Sequence, residues 1–409
     1  MTLMRPDSNS FNLIIPHDVD FQRVESIHPL EPYNPIVLDF LDAWSKQLLI
    51  NKESRLYPDV ITFAFWIRKG HIRMYKEAFE KQNSDELRLG RGCLFHIAPS
   101  NVPINFAYSL TIGLLSGNAN IVRVSNKDFR QVTLLSEELD ALLHKEQWRD
   151  IHDFITLVRY DRANKALTDY FSSLVDIRII WGGDTTIDEI RSSKIPPRSF
   201  DICFADRYSL CVIDADILLQ EEDLSGIVQG FYNDTFLFDQ NACTAPHLII
   251  WLGKKESKEE AKTRFWDAVQ AYTGSKYMIM PITAIDKFTA FCMEAITHGG
   301  VERKKSKDNT ITRIQLSQLP IDIETCRSIG GYFNEYDATT LDELAPIITR
   351  KFQTLSYFGL EQLQLKEFIK KNRLVGIDRC VPIGKTLDFE PVWDGWNLIV
   401  SMSKVIQIV

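Results

Sequence analysis

The stretch His96–Arg123, HIAPSNVPINFAYSLTIGLLSGNANIVR, decides how the chain is read. An apolar strand-like run ends in a turn rich in proline and polar residues. Pro103 suits the first turn of the helix that follows, where a missing N–H costs little. That helix is apolar nearly all round, which predicts that it is buried. It delivers the chain to a second strand-like run, ANIVRVS, at 119–125.

The same alternation continues on both sides. Strand-like runs are expected at 92–98, 119–125, 153–159, 176–182 and 201–205. Between them, Val132, Leu135, Leu139 and Leu142 lie on one stripe at helical spacing, with Asp128 and Gln131 placed like a capping box. Alternating strands and helices imply a doubly wound, mostly parallel α/β sheet. Upstream, residues 1–33 read as short strands and turns, and NPIVLDFLDAWSKQLL and YPDVITFAFWIRKGHIRMYKEAFEKQ as two long amphipathic helices. After about residue 208 a second α/β pattern begins. The expected division is therefore 1–208, 209–372 and a strand-rich tail, 373–409, that returns to either domain or to a subunit interface.

Composition narrows the function. The 409 residues are 45% apolar and 25% charged, with a net charge of −8. That is a globular chain without the cationic surface a general nucleic-acid binder needs. The basic run at 302–308, ERKKSKD, reads as a solvated loop. No apolar run is long enough to cross a bilayer, and the N-terminus lacks the layout of a secretory signal. Seven cysteines without a C-x-x-C pair suit a reducing cytoplasm and no structural metal. Two nucleotide-like fragments fail on context. IGKT at 383–386 has Arg379 where a phosphate-binding loop needs glycine, and GRGCLF precedes its strand and has Phe95 at the third glycine position.

Three strand-to-helix junctions carry candidate chemistry. Asn101 sits at the crest of the first, either capping the helix or offering its amide to a developing oxyanion. Arg123 ends the next strand, as a surface arginine or as a fork for ribose or phosphate. In DIRIIWGGDTTIDEIR (176–191), Gly182 and Gly183 form a plain turn or a place for close ligand approach, and Thr185 opens a helix whose N-terminus favours phosphate. A fourth site is FDQNACTAPHLIIW (238–251), where Cys243 occupies a polar turn at the mouth of a strand. A cysteine is ordinarily a small buried hydrophobe; this one is either that or a presented nucleophile.

Together these segments resemble the aldehyde dehydrogenase superfamily, and more closely the acyl-CoA reductases of the LuxC type. The resemblance rests on HIAPSNVP, GLLSGNANIVR, WGGD, RYS, QNACTAP, QTLSYFG and WDGWNL in this order, from about residue 57 to the C-terminus. It implies that Cys243 is the nucleophile that holds an acyl group as a thioester, and that Asn101 with the backbone N–H of Cys243 forms the oxyanion hole. It implies NADPH as reductant, contacted by Pro99, Ser100, Arg123, Ser125, Gly182, Gly183 and Thr185, with Arg123 suited to the 2′-phosphate. Its acyl donor is a fatty acyl-CoA or an acyl-protein synthetase of the LuxE kind, and a homo-oligomer is expected.

Two departures bear on the reaction. Counting back from Asp214-Ala215-Asp216, the position of the water-activating glutamate of oxidising relatives holds Ile202. The glutamate that holds the nicotinamide ribose is replaced by Ser356. Reduction of a thioester by hydride needs no activated water, so the pattern favours a reductase. A non-reducing acyl carrier and an aldehyde oxidiser stand as alternatives. His247, four residues after Cys243, is a weak candidate for proton donor.

Overall fold

The computed structural model describes residues 11–16, 21 and 26–409. Of the segment expected as short strands and turns, residues 1–10, 17–20 and 22–25 lie outside the described residues. The chain folds as two compact units. One comprises the described residues up to Ala205 together with Glu390–Val409, and the other comprises Asp206–Phe389.

In the first unit, β1 (Asn12–Ile15), β3 (Cys93–Ile97), β4 (Ala119–Arg123), β5 (Ile155–Arg159), β6 (Ile177–Trp181) and β7 (Phe200–Phe204) form a sheet, while β2 (Leu87–Gly90) stands apart from it. The order is β1-β5-β4-β3-β6-β7, parallel except that β1 runs antiparallel to β5. All five residues of β3 and of β6 are buried, as expected for central strands covered on both faces. The helix Asn105–Leu115 links β3 to β4 and buries nine of its eleven residues. From β3 the chain winds outward through β4 and β5, then returns to β6 beside β3. The order therefore reverses between β3 and β6, and the loops leaving those two strands diverge there.

Upstream, the structure has three helices where the sequence suggests two. Pro35–Ile50 is continuous, but the second expected helix breaks into Pro58–Trp66 and Lys69–Gln82. Arg68 turns extended, at φ −62° and ψ 139°, and the Lys69 amide donates to Asp42 Oδ1 at 3.1 Å. The carboxylate on the preceding helix thus offers that amide a partner outside the helix, and no glycine or proline at 67–68 announces it. The capping box at Asp128 and Gln131 does not form. The helix Arg130–Leu143 starts after Phe129 with no side-chain cap, and Gln131 Nε2 reaches Asp59 Oδ2 instead.

The second unit holds a seven-stranded sheet: β8 (Tyr208–Asp214), β9 (Pro246–Leu252), β10 (Val301–Arg303), β11 (Thr312–Leu316), β12 (Tyr332–Asp337), β13 (Phe352–Phe358) and β14 (Arg379–Pro382). Its order is β10-β11-β12-β9-β8-β13-β14, with only β10 antiparallel. Alternate strand residues feed two cores. Cys211, Ile213, Ile249, Trp251 and Phe333 pack against helices Ser225–Thr235 and Lys255–Gly274. Leu210, Val212, Leu248, Ile250 and Ile314 pack on the other face against Gln362–Asn372 and the inner residues of Pro281–His298.

The unit boundary falls at 205/206, and the tail 373–409 is shared. Arg379–Pro382 extends the second sheet beside β13, whereas Ser403–Ile406 pairs antiparallel with β2 in the first unit. β14 adds to the free edge of the second sheet, whereas Ser403–Ile406 and β2 form a two-stranded ribbon of their own.

Arg178 anchors the far side of the first sheet. Its guanidinium is 1% exposed, forks onto Asp201 at 2.8 and 3.1 Å, and donates to Ser172 Oγ and the carbonyls of Ile190 and Ser193. Breaking a buried pair costs about 3–5 kcal/mol where nothing replaces the lost charge; here Arg191 Nε, 3.4 Å from Asp201 Oδ2, keeps the carboxylate partly paired and places the cost at the low end, about 3 kcal/mol. Arg178→Ala should lower the unfolding free energy by about that amount in chemical denaturation; a loss below ~1 kcal/mol would show that water replaces the guanidinium.

Candidate functional site

The junction residues of the first unit meet at one edge of its sheet. Pro99, Ser100 and Asn101 follow β3, Arg123 and Ser125 stand at the end of β4, and Gly182, Gly183 and Thr185 follow β6. These strands are neighbours in the order β4-β3-β6. The loops after β3 and β6 flank the point where the strand order reverses, the usual ligand crevice of an open parallel sheet. Ser100, Asn101, Gly183 and Thr185 are exposed, Pro99, Arg123 and Gly182 are half-buried, and Ser125 is buried.

Asn101 does not cap the helix behind it. That helix begins at Asn105, after Ile104, with no side-chain cap. The Arg123 guanidinium lies 4.9 Å from the Tyr160 ring centroid and donates through Nη2 to the Tyr160 carbonyl at 3.3 Å, while its Nε is buried without a partner. Burial holds its pKa below the usual arginine range. Ser125 Oγ accepts from the Lys127 amide. Gly183 precedes the helix Asp184–Arg191 at φ −68°, and a Cβ there meets nothing within 4 Å. Backbone strain therefore does not require glycine at 183; what it leaves is open space above the helix N-terminus. At Gly182 a Cβ would press on Thr186 at 3.1 Å.

Cys243 belongs to the second unit, in the turn that feeds β9, and is half-buried. The turn is held from several sides. Asp239 and Gln240 both adopt left-handed backbone, at φ 51° and 61°, a conformation costly for side chains with a Cβ. The buried Gln240 carboxamide offsets that cost. Its Nε2 donates to the Pro246 and Tyr332 carbonyls, each at 2.9 Å, and its Oε1 accepts from the Gly331 and Tyr332 amides, each at 3.0 Å. Ser209 Oγ donates to the Cys243 carbonyl at 2.6 Å and accepts from the Thr354 amide. The thiol-bearing turn is thus stitched to the starts of β8, β9, β12 and β13.

Of the other cysteines, Cys93, Cys211 and Cys326 are buried and Cys203, Cys292 and Cys380 are half-buried. Burial pushes the thiols of Cys211 and Cys326 up to about 12, that of Cys380 up to about 11, and raises that of Cys203. His247 is buried and stacked on Tyr208, with ring centroids 5.7 Å apart. Burial, with Arg327 nearby, lowers its pKa to about 3, so it is a neutral imidazole at pH 7. Its Nδ1 has no partner.

The two departures from the oxidising pattern are also placed. Ile202 is fully buried in β7. Ser356 is buried within β13, its Oγ on the Leu210 carbonyl of the neighbouring strand. Gln240 and Ser209 lie inside the QNACTAP and RYS segments, but their clamping roles depend on partners some 90 and 145 residues away. Among the described residues no group of three or more His, Cys, Asp or Glu is placed to hold a metal ion, and no helix is long and apolar enough to cross a membrane.

Residues 68–405 match the family model for acyl-CoA reductase (LuxC). The long-chain acyl-protein thioester reductase of Vibrio harveyi is 27% identical over 251 residues, covering 59% of this chain and 47% of that protein. That of Photorhabdus luminescens is 22% identical over 303 residues, covering 72% and 58%. The chain thus spans about half to three-fifths of these relatives. Among solved structures, a lactaldehyde dehydrogenase superposes with a TM-score of 0.65 at 11% identity, covering 94% of this chain and 87% of that one. A Thermus 1-pyrroline-5-carboxylate dehydrogenase with bound NAD gives a TM-score of 0.64 at 11% identity, covering 94% and 83%. The fold is that of the aldehyde dehydrogenases.

Gln240→Leu keeps the volume but leaves two buried amides and two carbonyls without their partner, and should cost about 3 kcal/mol or more in denaturation. A cost under ~1 kcal/mol would mean that the clamp is not what holds the turn. His247 gives a pH signature. Its folded pKa is depressed to about 3, so the unfolded chain takes up the proton first and stability is lost as pH falls below about 6.5. The stability of His247→Phe relative to the parent should therefore rise by about 1.4 kcal/mol per pH unit between pH 6 and 4. A flat difference would place the imidazole in contact with water.

Proposed function

Because the chain belongs to the acyl-CoA reductase (LuxC) family, we propose that it reduces a fatty acyl thioester to the aldehyde through an acyl-cysteine at Cys243. The observation that carries this reading is the clamped turn. It holds the half-buried Cys243 thiol in a fixed backbone frame, pinned through Gln240 and through the Ser209 bond to its own carbonyl.

In this reading the Cys243 sulfur attacks as thiolate. A bond forms from sulfur to the acyl carbon, and the bond from that carbon to the donor thiol breaks. The donor is an acyl-CoA or an acyl-protein, a class supported by the names of the relatives. Asn101, exposed and not spent on a helix cap, supplies the amide that steadies the developing oxyanion. The residue in the position of the water-activating glutamate is the buried Ile202, and the nearby Asp201 is committed to Arg178. Both features favour retention of the thioester over its hydrolysis.

A nicotinamide dinucleotide fits the first unit's crevice on this chain's own features: the unpartnered Nε of Arg123, the open space over Gly183 and the exposed Thr185 at a helix N-terminus. When bound in reduced form, it supplies the hydride. Pro99, Ser100, Arg123, Ser125, Gly182, Gly183 and Thr185 are assigned to hold it, with Arg123 directed at the 2′-phosphate of NADPH. His247 takes no part as a proton donor, since it is neutral and buried. A cytoplasmic setting and an acyl-protein synthetase partner complete the reading.

Intact-protein mass after incubation with long-chain acyl-CoA should show an acyl adduct on the parent and none on Cys243→Ala. An adduct surviving in that variant overturns the assignment. Asn101→Ala should fold normally and lower aldehyde formation about 10²–10³-fold. Arg123→Met should raise the KM for NADPH more than that for NADH.

A further inference from the structure

A line of polar side chains runs inside the first unit, under the loops that border its crevice. His96 is the fourth residue of β3, Asn120 the second of β4 and Trp181 the last of β6. Ser109 joins them from the helix Asn105–Leu115. The parallel register sets Leu94 level with Asn120 and with Ile177. Successive side chains alternate between faces, so Asn120, His96 and Trp181 all point to one face of the sheet. All four side chains are buried.

The bonds between them are short and continuous. Trp181 Nε1 donates to Ser109 Oγ at 3.1 Å, Ser109 Oγ lies 2.7 Å from His96 Nδ1, and His96 Nε2 lies 2.9 Å from Asn120 Oδ1. Asn120 Nδ2 donates onward to the carbonyls of Asn118 at 2.6 Å and Phe154 at 3.4 Å. Glycine at 113 makes room for the last two side chains. A Cβ there would come within 1.8 Å of Asn120 Oδ1 and 3.1 Å of His96 Nε2.

The two ends of the line fix the proton at every step. An indole N–H can only donate, so Ser109 accepts from Trp181. At the other end the Asn120 amide nitrogen faces two carbonyls, which turns its oxygen toward His96 and requires a proton on His96 Nε2. Burial holds the His96 pKa down to about 4, so at neutral pH Nδ1 is bare and takes the Ser109 hydroxyl proton. Reversing any one member would set two donors or two acceptors against each other in a buried place. Packing alone does not call for such a line, because apolar side chains of matching shape can replace both partners of a buried bond at little cost. What the line adds is a single geometry.

That geometry bears on the crevice. Trp181 immediately precedes Gly182, and its ring is stacked on Phe204 with centroids 3.7 Å apart and planes at 15°. The stack and the Ser109 bond together leave the indole one position. His96 lies three residues before Pro99, and Asn120 three before Arg123. The line therefore ties β6, at the residue where its glycine turn begins, to β3 and β4, the strands whose loops carry the other residues assigned to the dinucleotide. None of its four members is among those residues.

We infer that His96 is a positioning residue for the dinucleotide crevice: it orients the Ser109 hydroxyl, which holds the Trp181 indole and so sets the Gly182-Gly183 turn at a fixed distance from the end of β3. The inference rests on the reading of this crevice as a nicotinamide dinucleotide site.

Histidine-selective 15N labelling tests it without turnover. The parent at pH 7 should show His96 as the Nε2–H tautomer, with His247→Phe removing the other buried histidine of the described residues from the spectrum. Saturating NADPH should shift the His96 Nδ1 resonance, because a turn held by its ligand alters the Ser109 bond. Trp181→Phe keeps an aromatic ring on Phe204 and removes the N–H. By calorimetric titration it should raise the Kd for NADPH about three- to tenfold, and that for NADH by the same factor, with an unchanged circular dichroism spectrum. The equal factor separates this effect from that of Arg123→Met, which acts on NADPH more than on NADH. The histidine spectrum is read on the parent's own imidazole, so the test stands even if Trp181→Phe fails to fold. An Nδ1–H tautomer, a His96 resonance indifferent to NADPH, or a folded Trp181→Phe that binds both nucleotides as the parent does overturns the inference alone. A parent that binds neither nucleotide overturns the reading of the crevice, and this inference with it.

Discussion

Gln240 is the residue on which the geometry of the Cys243 turn depends. It sits in left-handed backbone that an ordinary side chain avoids, and it is kept there because its carboxamide satisfies two amides and two carbonyls at once. Two of those partners begin β12 and one begins β9. The same four bonds that close the sheet at this end also set the path of the chain into Cys243. Ser209 adds a bond to the Cys243 carbonyl from the start of β8. A half-satisfied polar cluster in such a place would be worse than an apolar one; here the amide's donors and acceptor are all used, and the turn acquires a single geometry.

Elsewhere, buried charge is spent on architecture. Glu335 accepts from the indoles of Trp251 and Trp266 and from Arg313, all between 2.7 and 2.8 Å. Asp234 accepts from the amides of Gly384 and Thr386, in the same IGKT turn that superficially resembles a phosphate loop. That turn does present amides to an anion, but the anion is the protein's own carboxylate, whose pKa burial raises to about 6. Lys287 and Glu294 serve likewise as pins, and their inward direction is what leaves an aliphatic seam on the surface. In each case a polar motif acquires its meaning from what the fold brings against it.

Much of this was legible in the order of residues. Period-two and buried apolar runs mark β3 to β7 within one or two residues, since a strand covered on both faces has to be apolar throughout. The helix at 105–115, apolar all round, has to be interior. The loop residues at the strand ends follow, because a doubly wound sheet brings the ends of adjacent strands to one edge. Local polar pairings were less legible. The capping box at Asp128 and Gln131 is absent because Asp59, seventy-two residues earlier, takes the glutamine side chain. The helix break at 67–68 depends on Asp42 of another helix, and Ser356 turned out to face a neighbouring strand.

The sequence by itself determined the α/β class, the order of the strands along the chain and the family, because apolar periodicity and short motifs are properties of neighbouring residues. Only the tertiary structure decided how the tail is shared between the units, which polar groups clamp the thiol turn and which face of Pro281–His298 meets solvent. Those outcomes rest on hydrogen bonds between residues tens to more than three hundred positions apart. A donor cannot choose its acceptor until the chain has brought the two within about 3 Å of each other.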